Sequence, residues 1–129
     1  MKYLCMVWFE EKTLAALSID EGRALDRDSF AYDEELRRRG YFIVAQALQP
    51  AKKAKIVRVR NGKVSTIDGP FAETKEQLGG FILIEAKDMS DALKVAAKIP
   101  LARLGSIEVR PIMELNVDRR EKRAGMKHA

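Results

Sequence analysis

Lys2-Tyr3-Leu4-Cys5-Met6-Val7-Trp8-Phe9 is the stretch on which the fold turns. Successive side chains of a strand point to opposite faces, so Tyr3, Cys5, Val7 and Phe9 share one face and Leu4, Met6 and Trp8 the other. Both faces are apolar, and such a strand has to be covered on both sides. One lysine followed by a short apolar run also resembles a weak secretory leader. Acidic Glu10 and Glu11 follow at once, however, and there is no small-residue cleavage site, so the run reads as a first strand.

Outward from this strand the elements follow in order. Glu11 to Leu17 suits a short helical turn, and Ser18-Ile19-Asp20-Glu21 is a capping box that opens a helix reaching Arg39. Leu25, Ser29, Tyr32 and Leu36 fall on one face of it, and Gly40 stops it behind three arginines that complement the helix dipole. Tyr41 to Leu48 is a second strand, closed by Gln49-Pro50. Lys55 to Arg60 and Lys63 to Ile67 form a hairpin about Asn61-Gly62, a pair suited to the positive φ of a type I′ turn. Leu78 to Ala86 is the next strand, entered through Gly79-Gly80. Ser90 is expected to cap a helix over Asp91 to Ile99 with Ala92, Leu93, Ala96 and Ala97 inward, and Pro100 ends it. Ser106 to Leu115 alternates as a last strand.

The order is β-α-β, a hairpin, then β-α-β. This is an α+β fold, a ferredoxin-like split βαβ with an inserted β-hairpin. Two helices cover one face of its sheet. The two-faced strand therefore calls for a second sheet, most simply that of an identical subunit, and a homodimer is expected.

Charge and cysteine usage narrow the class. Residues 117–129 hold five basic side chains against two acidic, whereas the rest of the chain has 19 basic and 17 acidic of the 24 and 19 in the whole. The net +5 therefore belongs mostly to a basic tail at 116–129, following a domain at 1–115. A near-neutral body, and the absence of aromatic–basic interleaving, argue against nucleic-acid binding. No apolar run approaches the ~20 residues of a membrane span. A lone cysteine fits a reducing cytoplasm. With one cysteine and one histidine, His128 in the tail, the usual zinc ligand sets are out of reach, and no metal or cofactor is expected.

The run Asp68-Gly69-Pro70-Phe71-Ala72-Glu73-Thr74-Lys75-Glu76-Gln77-Leu78-Gly79-Gly80-Phe81 resembles the signature of the DGPF branch of the YCII-related family. Gln46-Ala47-Leu48-Gln49-Pro50, the hairpin Val57 to Lys63 and Ser106-Ile107-Glu108-Val109-Arg110-Pro111 agree with it, so the likeness spans Met1 to about Leu115. The resemblance implies a dimeric α/β barrel. For related members it implies a His–Asp pair in a cleft, but this chain has no histidine in the matching stretch. By association it also implies a regulatory link to sigma factors of the extracytoplasmic-function class.

Read for chemistry, Asp68 and Glu73 are the acid–base candidates, two carboxylates whose proximity in a dry cleft would raise one pKa. Arg58, Lys75 and Arg110 are the candidates to hold an anionic ligand, and Gly79 and Gly80 would admit close backbone approach. The expected function is binding of a small anionic metabolite beside this loop, with isomerase- or lyase-like chemistry. A regulatory partner protein without catalysis is the alternative. The same residues also suit a structural loop in which Asp68 closes a turn and Glu73 pairs with Lys75.

Overall fold

A computed structural model describes residues 1–115; the basic tail expected at 116–129 lies outside the described residues. Within them the order is β1 (Lys2–Phe9), α1 (Glu11–Ala15), α2 (Ile19–Arg38), β2 (Phe42–Ala47), β3 (Lys55–Arg60), β4 (Lys63–Asp68), β5 (Gln77–Glu85), α3 (Met89–Ala97) and β6 (Ser106–Pro111). Strands β2-β5-β1-β6 form one antiparallel sheet, and β3-β4 stand apart as a two-stranded hairpin. This is the ferredoxin-like split βαβ with a hairpin inserted between its second and third sheet strands.

The expected local signals are present. Ser18 accepts from the Glu21 amide and the Glu21 side chain accepts from the Ser18 amide, which closes the capping box of α2. Asn61 and Gly62 both have positive φ at the hairpin turn, and Gly40 has φ +80° behind α2.

Helices α2 and α3 cover one face of the sheet. Tyr3 and Cys5 of β1 and Ile82 and Ile84 of β5 are buried there against Tyr32, Leu36, Ala92, Val95, Ala96 and Ile99. Tyr32 donates its hydroxyl to the Val95 carbonyl at 2.7 Å, so the one polar atom carried between the helices is satisfied. Leu36, Ile84 and Cys5 have essentially no exposure. Burial of this kind stabilises by roughly 1.5–3 kcal/mol for each large side chain, and it pushes the Cys5 thiol up to about 11, well away from thiolate chemistry.

Three readings of the sequence need correction. Asp88, not Ser90, caps α3: its carboxylate accepts from the Asp91 amide, and Ser90 lies inside the first turn. The stripe packed on the sheet is Ala92, Val95 and Ala96, so Leu93, 52% exposed, and Ala97, also exposed, do not face inward as expected. The last strand ends at Pro111, and residues 112–115 carry no regular structure.

Gly79 and Gly80 have separate packing reasons. The β1–β5 register slips between Val7↔Gly80 and Trp8↔Leu78, leaving Gly79 at a bulge. A Cβ on Gly79 would lie 2.1 Å from the Phe9 ring, and one on Gly80 would lie 2.7 Å from the Gln46 carbonyl oxygen. Close backbone approach, the role expected of this pair, thus holds at Gly80, where β2 passes.

Candidate functional site

The face of the sheet away from the helices presents its residues in rows, because cross-strand partners share a face. Val44, Leu83, Leu4 and Arg110 form one row, and Gln46, Phe81, Met6 and Glu108 the next. Trp8 follows, two positions further along β1, with Leu78 and Ser106 as its partners. Its indole N–H donates to Glu108 Oε1 at 3.1 Å, which holds the ring against the sheet.

Over the Trp8 end hang two irregular segments. One connects β2 to β3 and carries a short 3-10 turn at Ala51–Lys53; the other connects β4 to β5 over residues 69–76. Between them and the sheet lies a cavity of about 570 Å³, lined by Trp8, Leu48, Pro50, Ala51, Ala54, Pro70, Phe71, Ala72 and Leu78, with Gln49, Lys53, Thr74 and Gln77 as its polar members. No carboxylate lines it. A second cavity, of about 420 Å³, shares Leu48, Gln49, Pro50 and Leu78 and continues past them toward Phe9 and α1.

The 69–76 loop is latched in place. Gln77 Nε2 donates to the carbonyls of Ala72 (3.0 Å) and Thr74 (2.8 Å), and Thr74 Oγ1 donates to the Glu76 carbonyl at 2.5 Å. Ser106 Oγ donates to Glu76 Oε1 at 3.0 Å, which ties the loop to β6. Lys75 pairs with Glu10 at 3.7 Å, tying it to the end of β1. The donors of Gln77 and Thr74 are therefore spent on the loop itself.

Each residue singled out from the sequence has a definite place. Asp68 is the last residue of β4, cross-strand partner of Lys55, with which it forms an ion pair at 2.5 Å; its side chain is 84% exposed. Glu73 is exposed, and among the described residues it makes no ion pair or side-chain hydrogen bond. Lys75 meets Glu10 and not Glu73, so the Glu73–Lys75 pair does not form. The Arg58 guanidinium sits 5.7 Å over the Phe71 ring and fixes it from outside. Arg110 is on the open face but in the row of Leu4, about 13 Å along the strand from Trp8. Gly79 lines the second cavity, and with Gly80 a third on the helix side. None of these seven residues lines the cavity of about 570 Å³ beside Trp8.

Three residues of the cleft were not singled out from the sequence. Trp8 counted only as one of the apolar residues of a two-faced strand, although a lone tryptophan on the uncovered face is a signal in itself. Gln77 sits in the motif, but its latch depends on where two carbonyls five and three residues back come to lie. Lys53 sits two residues from a lysine that pairs with Asp68, and nothing in the local sequence separates the two.

A model of the YCII-related domain matches residues 1–116. The chain belongs to the YCII-related family. It is also 35% identical over 114 residues to an uncharacterised protein of Rhizobium meliloti (strain 1021), an alignment that covers 87% of this chain and 92% of that one. Among the described residues no helix is long and apolar enough to cross a membrane, and no group of three or more His, Cys, Asp or Glu side chains could hold a metal ion. In this YCII-related chain the cavity of about 570 Å³ beneath the 68–77 segment has a mostly apolar lining.

Proposed function

We propose that this protein, as a member of the DGPF branch, binds a small anionic metabolite in the cleft between the 68–77 segment and the uncovered face of the sheet. The observation that carries the reading is the cavity itself: about 570 Å³, walled by apolar side chains, with a lysine and no acid in its lining. A mostly apolar cleft with few polar groups is the ordinary form of a small-molecule site.

In the same reading two subunits pair their uncovered sheet faces, covering Leu4, Met6, Phe81 and Leu83, as a homodimer in the reducing cytoplasm. Acid–base chemistry of isomerase or lyase type is the catalytic extension. It gives Asp68 and Glu73 proton-transfer roles, and it requires Asp68 to exchange Lys55 for a ligand and both carboxylates to reach a cleft whose lining holds neither.

Thermal-shift titration with anionic metabolites, lactones and aromatic acids tests the binding. A ligand that binds only the folded state raises the melting temperature by mass action. The expected result is a shift in the native protein that is lost in Ala51→Phe, which fills the cavity, while the unliganded melting temperature is kept. An equal shift in both proteins would put the ligand elsewhere. For any ligand found, Asp68→Asn and Glu73→Gln should keep binding and lose turnover if the catalytic extension holds.

A further inference from the structure

We infer that the ligand class of this cleft is the planar aromatic carboxylate, with its ring against Trp8 and Phe71 and its carboxylate on Lys53. The inference rests on the cleft reading above and sharpens it.

The bonding state of the lining carries the argument. Four polar side chains line the cavity. Gln77 and Thr74 have their donors engaged by loop carbonyls. Trp8 has its only donor on Glu108, so the indole offers the cavity hydrocarbon and π surface alone. That leaves Gln49, Lys53 and the amide oxygen of Gln77, of which only Lys53 carries a charge. A site with so few free polar groups rejects sugars, nucleotides and polyphosphates, whose many hydroxyls and phosphate oxygens would be stripped of water without replacement.

The cations on this side are not equivalent. Lys55 is held by Asp68, and Lys12 and Lys75 share Glu10 at 3.4 and 3.7 Å. Arg58 lies over the Phe71 ring. Lys53 lines the cavity and, among the described residues, has no ion pair and no side-chain hydrogen bond. With no acid in the lining to oppose it, one unengaged ammonium selects one negative charge.

The two aromatic rings decide the shape of the remainder. Phe71 is 78% exposed although it lines an apolar space, and with Arg58 over one face of the ring the other face is where a second ring would pack. Aromatic pairs gain about 0.5–1.5 kcal/mol beyond the area they bury, which favours a flat unsaturated ligand over an aliphatic one of equal size.

The chain has one tryptophan, so its fluorescence reports this cavity directly. The full-length protein is titrated with benzoate, benzamide, cyclohexanecarboxylate and benzylamine while Trp8 emission is followed. Benzoate should bind tightest. Benzamide should bind about tenfold more weakly, the loss expected when a charged partner is removed from one good charge-assisted hydrogen bond. Lys53→Gln should erase the benzoate–benzamide difference, and Lys53→Arg should keep it. If benzamide matches benzoate in the native protein, or if cyclohexanecarboxylate does, the ligand class is overturned while the cleft still binds. If none of the four compounds changes Trp8 emission or melting temperature, the ligand class is overturned; the cleft reading falls with it only if the wider titration with anionic metabolites and lactones is silent as well.

Discussion

The two faces of the sheet are built from the same strands and end in opposite conditions. On the helix side Tyr3, Cys5, Ile82 and Ile84 meet α2 and α3 and are buried. On the other side Leu4, Met6, Trp8, Phe81 and Leu83 stay half-buried, and among the described residues no helix packs on them as α2 and α3 do on the first face. The first face is closed by regular elements whose side chains interlock. The second is closed, at one end only, by a loop held through hydrogen bonds to its own carbonyls. The helix side is closely packed around Cys5, Leu36 and Ile84, and a cavity of about 380 Å³ lies beside that packing, along Tyr32, Ile82, Ile99 and Gly80. The loop-covered end of the other face retains a roomier cavity, about 570 Å³, and the donors of Gln77 and Thr74 are consumed in holding its loop.

Leu36→Ala should mark the helix side as the source of stability. Leu36 is fully buried, and its truncation is expected to destabilise by about 3 kcal/mol in denaturant melts. Trp8→Ala should remove less stability and more ligand affinity; if the two variants lose stability equally, the contrast between the faces is broken.

Gln77→Leu releases the latch. The loss of its hydrogen bonds to Ala72 and Thr74 should remove about 1 kcal/mol. The loss should be local, with faster amide exchange over residues 71–76 and unchanged protection in β1 and β5. A uniform loss of protection would mean that the loop is part of the core after all.

A smaller effect belongs to the start of α3. The Lys87 amide and the Tyr41 hydroxyl both donate to the Asp91 carboxylate and hold its pKa below the usual range. A carboxylate lowered on folding adds stability above its unfolded pKa of about 4, and that stability is lost as the pH falls through the folded value. The melting temperature should therefore fall more steeply below about pH 4 in the native protein than in Asp91→Asn. Parallel acid limbs would contradict the assignment. Smallest of all, Asp68→Asn breaks an exposed pair with Lys55 and should change stability by less than about 1 kcal/mol.

The elements of the fold were legible because their signals are local or periodic. The capping box at Ser18–Glu21, the Asn61-Gly62 turn and the alternation of residues 2–9 each depend on neighbours within a few positions. Asp88 was missed as a cap because Asp88, Ser90 and Asp91 all suit an N-terminus, and only the packing of Val95 chooses among them. The cleft was half legible. The 68–81 motif pointed to the right loop, but the choice of Asp68, Glu73, Lys75, Arg58 and Arg110 followed residue type. Which lysine faces a cavity and which pairs with a neighbour is decided by strand register, as in Lys55↔Asp68, and by the path of the 48–54 segment, and neither is written locally.

The most direct test is amide chemical-shift mapping of the full-length protein with benzoate. The account predicts perturbations confined to Trp8, residues 48–54 and residues 70–78, with α2, α3 and the buried face of β1 unchanged. Perturbations centred on the helix side, or on Arg110 and the row of Leu4, with the 48–54 and 70–78 segments silent, would contradict it.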